Sequence, residues 1–157
     1  MSRPMLSAKD SFVFTVLVVD DNKDIVEFLR LLLSHHGLTV LCAYSGQECL
    51  ETVRSRPVDV ILLDVMMPGI DGLDVCKELR RTSPSLPVIL LTAKDDMATR
   101  SAAMALGVSE FIAKPVMDHQ GLVARVLTLI RSREWEMKMD RAFGPIEPPW
   151  KTVPVEK

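Results

Sequence analysis

Short, unbroken apolar runs alternate along this chain with stretches in which apolar residues return every three or four positions. The first run, Thr15-Val16-Leu17-Val18-Val19, is β-branched and ends in Asp20-Asp21-Asn22, the composition of a buried strand that stops at polar residues. Beyond Asn22 the positions Ile25, Phe28, Leu29, Leu32, Leu33 and His36 follow helical spacing, and Gly37 stands where a helix stops. The alternation then repeats. Leu38 to Ala43 predicts a strand, and Ser45 caps a helix carrying Cys49, Leu50 and Val53 as far as Arg56-Pro57. Val60-Ile61-Leu62-Leu63 ends in Asp64, the turn signal Met67-Pro68-Gly69 follows, and Asp71 to Arg81 is helical with Leu73, Val75, Cys76 and Leu79 apolar. Pro87 to Leu91 predicts a fourth strand ending at Thr92-Ala93-Lys94. Asp95 or Asp96 opens the next helix, through Met97, Ala103, Met104 and Leu106 to a stop at Gly107. Ser109 to Ala113 is a short fifth strand ending at Lys114-Pro115. Asp118 caps a last helix whose inner face is Leu122, Val126, Leu129 and Ile130, and whose pattern runs on past Arg133 through Trp135, Met137 and Met139.

A strand apolar at every position needs cover on both faces, which points to a parallel sheet between helices. Five successive βα units predict an α/β fold: a doubly wound, five-stranded parallel sheet with helices on both faces, flavodoxin-like, because parallel strands need crossovers and those are right-handed. Residues 14–133 form this domain. Residues 1–13 have no period and read as a flexible leader, and residues 134–157 read as a helix extension followed by a proline-rich tail. That tail is either disordered, or a docking segment or linker to an output domain with Trp150 as an anchor.

Composition narrows the setting. At 157 residues, with 48% hydrophobic and 25% charged, the chain suits one ordinary soluble domain. A net charge of −2 gives no basic footprint for nucleic acid. Cys42, Cys49 and Cys76 lack C-x-x-C spacing and read as buried, reduced thiols of a cytoplasmic protein. Neither a membrane span nor a secretion signal is legible, so a cytoplasmic location without a membrane partner is expected.

The strand ends carry the chemistry. In a parallel sheet the carboxyl ends share one edge, so Asp20, Asp21, Asp64, Thr92 and Lys114 should converge although far apart in sequence. Taken alone, Asp64 is as readily a turn former or helix cap, Lys114 a solvated lysine and Thr92 a β-former. Jointly they describe a site. Three packed carboxylates repel unless a cation neutralises them, and an all-oxygen donor set suits Mg²⁺ or Mn²⁺. Zinc is disfavoured, since His35, His36 and His119 have no ligand spacing. A carboxylate beside a divalent ion, a lysine and a hydroxyl suits an Asp nucleophile that attacks phosphorus and becomes an acyl phosphate.

Four segments, Val18-Val19-Asp20-Asp21-Asn22, Leu63-Asp64-Val65-Met66-Met67-Pro68-Gly69-Ile70-Asp71-Gly72, Leu91-Thr92-Ala93 and Phe111-Ile112-Ala113-Lys114-Pro115, closely resemble the receiver domain of two-component response regulators over roughly Phe14 to Arg133. The resemblance implies Asp64 as phosphoacceptor, Asp21 and Asp64 as direct metal carboxylates, Asp20 acting largely through water, and the Met66 backbone carbonyl as a third protein ligand. It further implies Thr92 and Phe111 as switch residues, Lys114 as the phosphate-pairing lysine, a small Ala93 that admits the donor, and a cis Lys114-Pro115 bond. Val108-Ser109-Glu110 and Val116 depart from the family pattern on its output face, and Met66 and Lys94 occupy positions that in the family tune the acyl phosphate's lifetime. The function implied is a phosphorylation-controlled switch rather than a turnover enzyme, charged by a sensor histidine kinase or a phosphotransfer protein. It would signal by contact to a downstream protein or a missing output domain, since no effector domain fits in the remaining residues. Two rivals are weaker. A haloacid-dehalogenase-type phosphatase would need an Asp where Met66 stands, and a receiver-like adaptor that is never phosphorylated would not need the full acidic set.

Overall fold

The computed structural model describes residues 13–93 and 96–144. Residues 1–12 of the expected leader, the proline-rich tail from 145 on with Trp150, and Lys94 and Asp95 lie outside them. Five strands and five helices alternate: β1 (Thr15–Val19), α1 (Lys23–His35), β2 (Thr39–Ala43), α2 (Gly46–Ser55), β3 (Val60–Asp64), α3 (Gly72–Thr82), β4 (Val88–Thr92), α4 (Met97–Ala105), β5 (Glu110–Ala113) and α5 (His119–Phe143). The sheet order is β2-β1-β3-β4-β5 and every pairing is parallel. The doubly wound α/β sheet expected from the pattern is the fold observed.

The order reverses at β1, and there β1 and β3 lie side by side with Val19 in register with Leu63. Such a reversal opens a crevice beyond the strand ends, where ligands of open α/β sheets bind. Both central strands β3 and β4 are buried at every residue, which accounts for their lack of polar alternation. Two apolar layers cover the sheet. On one face β1, β3 and β4 residues pack with α1 and α5 through Val26, Leu29, Leu33, Leu122, Val126 and Ile130. On the other they pack with α2, α3 and α4 through Cys49, Val75, Cys76, Leu79 and Ala103.

Helix boundaries follow local chemistry. Asn22, Ser45, Asp71, Asp96 and Asp118 each stand at an N-cap and accept hydrogen bonds from first-turn amides, replacing bonds that the first turn cannot make internally. Of the two candidates for α4, Asp96 is the cap.

Several apolar positions face elsewhere than their spacing suggests. On α1 the buried stripe is Val26, Leu29 and Leu33; Phe28 is exposed, and His36 is an exposed C-cap residue whose Nδ1 lies 3.0 Å from the Leu32 carbonyl oxygen. On α4 Met97 and Met104 are exposed, and Ala103 and Thr99 are buried. A short helix crossing a sheet buries only a narrow stripe, and methionine's flexible thioether stands in water at modest cost. Cys42 is half-buried rather than buried, while Cys49 and Cys76 are core, with burial pushing both thiols up to about 12. They are held protonated and unreactive.

Arg80 ties the α3–β4 connection. Its Nη1 and Nη2 each donate at 2.6 Å, to the carbonyls of Pro84 and Leu86. Hydrogen bonds from a charged donor are worth about 1.5–3 kcal/mol each, and part of that is recovered by water here. Arg80→Met is expected to lower stability by about 2 kcal/mol, read from urea denaturation.

Candidate functional site

The carboxyl ends of β1, β3 and β5 bring four chemically active side chains together. Val19 ends β1, so Asp20 follows directly into the crevice, where it is 3% exposed; Asp64 is the last residue of β3 and 5% exposed. Lys114 follows β5 and is half-buried. Its Nζ lies 2.5 Å from Asp20 Oδ2 and 3.4 Å from Asp64 Oδ2. Asp21 lies beside them, exposed to solvent. One carboxylate oxygen from each of Asp20, Asp21 and Asp64 falls within 4.8 Å of the others. Thr92 ends β4, the strand between β3 and β5, and is fully buried, with Leu91 paired to Asp64 and Ala113 paired to Thr92.

Backbone donors fix the orientation of two acids. Asp20 Oδ1 accepts from the Asn22 amide at 2.9 Å, and Asp64 Oδ1 accepts from the Met66 amide at 3.3 Å. Both oxygens of Asp20 therefore already have protein donors, one of them the Lys114 ammonium. Asp21, the exposed acid, is the more open of the two for direct ligation. The donor set fits a hard divalent cation: three carboxylates against one ammonium leave two negative charges, and all the ligand atoms are oxygen. The Lys114-Pro115 peptide bond is cis, as the resemblance implied.

Burial pushes the Asp64 carboxyl above the ordinary carboxylate range; the Lys114 ammonium pulls it back, and the neighbouring Asp20 charge adds to the rise. An acid with a raised folded-state value binds its proton longer in the native state than in the unfolded chain. Its contribution to stability is therefore full below the unfolded range, near pH 4, and declines as pH rises through the raised folded value. The native chain is expected to lose stability relative to Asp64→Asn across that window in metal-free buffer. Paired urea melts at several pH values check this.

Phe111 is half-buried on β5 against the layer formed by α2, α3 and α4, and the Arg100 guanidinium lies over its ring, 4.6 Å from the centroid. Met66 is 55% exposed. It thus reaches outward from the site while its amide holds Asp64. Ala93, just past Thr92, is exposed and lines an apolar cavity of about 430 Å³ together with Ile25, Phe28, Leu91, Lys114 and Pro115.

Helical spacing places Phe28 in the core, whereas in the structure it is exposed and lines this cavity. The signal was present. Val26, Leu29 and Leu33 also satisfy helical spacing and leave Phe28 outside, against His119 with ring centroids 4.9 Å apart.

The family model for the response regulator receiver domain matches residues 16–127. The chain belongs to the response regulator receiver domain family. A response regulator, MprA of Mycobacterium ulcerans, is 42% identical over 121 residues, which cover 77% of this chain and 52% of that protein. The receiver thus spans about half the length of the curated relatives it matches. Among solved structures, a CheY-like receiver protein from Methanospirillum hungatei superposes with a TM-score of 0.77 over 80% of this chain and 99% of its own; at 21% identity it speaks for the fold. The response regulator TrrA of Thermotoga maritima, solved in complex with Mg²⁺ and BeF, is 32% identical with a TM-score of 0.68, covering 74% of this chain and 99% of that one. Receiver domains of this family act in two-component signal transduction, and the strand-end acids and lysine of this receiver stand where the sequence motifs placed them.

No helix among the described residues is long and apolar enough to cross a membrane.

Proposed function

We propose that this receiver is a phosphorylation-controlled switch in which Asp64 accepts a phosphoryl group from the phosphohistidine of a sensor kinase or of a phosphotransfer protein. The observation that carries this reading is the Lys114 ammonium set 3.4 Å from the carboxylate that ends a fully buried strand. An Asp64 oxygen forms the new bond to phosphorus as the bond from phosphorus to the histidine nitrogen breaks, and the imidazole leaves with the electron pair. The product is an aspartyl phosphate. Asp21, Asp64 and the Met66 carbonyl would hold Mg²⁺, with Asp20 contributing through water. When bound, the ion supplies charge neutralisation for the transferring oxygens. The all-oxygen donor set also admits Mn²⁺.

This chain's own residues do the rest. Lys114 exchanges its contact with Asp20 for one with the phosphoryl oxygens, and the buried Thr92 hydroxyl donates to the same group. Drawing Thr92 and Lys114 toward the phosphoryl group biases β4, β5 and α4 between two arrangements, and Phe111 under Arg100 is the side chain placed to register the change. Turnover is limited to self-catalysed phosphotransfer and autodephosphorylation. The protein is cytoplasmic, binds neither nucleic acid nor membrane through this domain, and signals to a downstream protein or to an output domain of the kind the greater length of its relatives implies. Residues 14–133 are the functional unit, with 134–157 an extension and linker.

The test is phosphoryl uptake from acetyl phosphate with and without Mg²⁺. Uptake that requires the ion and is abolished by a chelator supports the proposal. If a cognate kinase and the small donor both fail to label the chain in Mg²⁺, the reading reverts to a receiver-like adaptor.

A further inference from the structure

Oxidisable sulfur lies within two residues of the phosphoacceptor. Met67 is buried, but Met66 is 55% exposed, and so to similar or greater extents are Met97, Met104, Met117 and Met137. The thiols are quiet by comparison. Burial pushes Cys49 and Cys76 up to about 12 and also raises Cys42, so none offers the thiolate that an oxidant attacks first. A thioether needs no deprotonation before it reacts.

Met66 is the exposed methionine at the site. Its amide donates to Asp64 Oδ1 at 3.3 Å, while its side chain lines a hollow of about 420 Å³ with Val65, Met67, Pro68, Asp71, Leu73 and Thr99. The part of this wall that follows Asp64 directly, Val65 to Pro68, is apolar at every side chain. A thioether there is a weak acceptor and holds water poorly.

Resting on the assignment of Asp64 as phosphoacceptor, we propose that Met66 is a site of reversible oxidation by peroxide, and that its sulfoxide shortens the life of the aspartyl phosphate. The sulfur lone pair forms a bond to one peroxide oxygen as the oxygen–oxygen bond breaks. The other oxygen leaves with the electron pair and takes the proton of the first, which gives water and the sulfoxide. Sulfur is oxidised by two electrons and the peroxide is reduced. The side chain thereby changes from apolar to polar, and its new oxygen holds water at the rim beside Asp64. Hydrolysis of the aspartyl phosphate consumes one such water: its oxygen bonds to phosphorus, the bond from phosphorus to the Asp64 oxygen breaks, and inorganic phosphate leaves. Water held next to the acid speeds that step. The core is untouched, because the Met66 side chain stands outside it.

The experiment treats the full chain with dilute hydrogen peroxide, removes the oxidant, labels with acetyl phosphate and Mg²⁺, and follows loss of the label once the donor is removed. Fragment mass should place one added oxygen on Met66 and none on Met67. The label's half-life should fall about fivefold, the scale of one hydrogen bond gained, and recover after treatment with methionine sulfoxide reductases for both epimers. In Met66→Leu the half-life should not respond to peroxide, and in Met66→Gln, which carries a permanent acceptor oxygen, it should be short without peroxide. A chain with Met97→Leu, Met104→Leu and Met117→Leu together should keep the full response. Equal half-lives of the oxidised and untreated native chain, a response that persists in Met66→Leu, or a Met66 that takes up no oxygen would overturn the proposal and leave Asp64 as the acceptor. An untreated chain that takes no label would overturn the assignment of Asp64, and this proposal with it.

Discussion

Replacing Gly72 with alanine is expected to cost this receiver about 3 kcal/mol of stability and most of its phosphoryl uptake. A Cβ built at Gly72 would stand 2.4 Å from the Asp64 carbonyl oxygen, 2.8 Å from the Val65 Cα and 3.0 Å from the Asp64 carbonyl carbon. All three are backbone atoms, so no rotamer change relieves the contact. Either α3 withdraws or the end of β3 moves. The Gly72 amide donates to the Val65 carbonyl at 2.8 Å, and withdrawal stretches that bond; movement of β3 displaces Asp64 itself. Both outcomes harm the site, which is why a mutation outside the acids should reach the chemistry. Gly69→Ala is the control. Gly69 has φ of +80° with nothing near its missing Cβ, so alanine there is strained by about 1–2 kcal/mol without crowding Asp64. Urea denaturation and acetyl phosphate labelling of both variants separate crowding from backbone strain. Equal uptake by Gly72→Ala and the native chain would contradict this account.

Lys114→Met carries the second large effect, and its two readouts move in opposite directions. The ammonium at 2.5 Å from Asp20 and 3.4 Å from Asp64 is the cation seated among the acids. Without it the carboxylates repel one another with nothing between them, so binding of Mg²⁺ should tighten, because the ion no longer competes with a fixed positive charge. The same change removes the donor that would meet charge on the transferring phosphoryl group. Loss of one such preorganised donor typically slows the step by about a hundredfold or more. Calorimetric titration with Mg²⁺ and the labelling rate at saturating ion measure the two independently. Slower labelling with tighter ion binding is the expected pair. Unchanged labelling would remove Lys114 from the mechanism.

Much of this was legible in the chain because strand-end chemistry is local in sequence even where it is remote in space. Val60-Ile61-Leu62-Leu63 reads as buried since every residue is apolar, and the structure buries each of them; the acid at its end follows without further information. Convergence of Asp20, Asp64 and Lys114 required only that the strands be parallel. Facing was harder. Phe28 and Val26 fit one helical period equally well, and only the packing of Val26 into the core, with Phe28 left exposed beside His119 of α5, shows which one leaves it. Met97 and Met104 stand exposed for a related reason, since apolar character does not force burial on a short helix with a narrow contact stripe. Neither the division of Asp20 between Lys114 and the Asn22 amide nor the close approach of Gly72 to the β3 backbone is written in any residue type. Both arise from how two chain segments dock.

The central claim is that Asp64, and not another acid of the cluster, carries the phosphoryl group. The most direct measurement is intact and peptide mass after incubation with acetyl phosphate and Mg²⁺, on the native chain and on Asp64→Asn. The account predicts a gain of one phosphoryl group, located on the peptide containing Asp64 and absent from Asp64→Asn. The same gain in Asp64→Asn, or its location on the peptide containing Asp20 and Asp21, would contradict it.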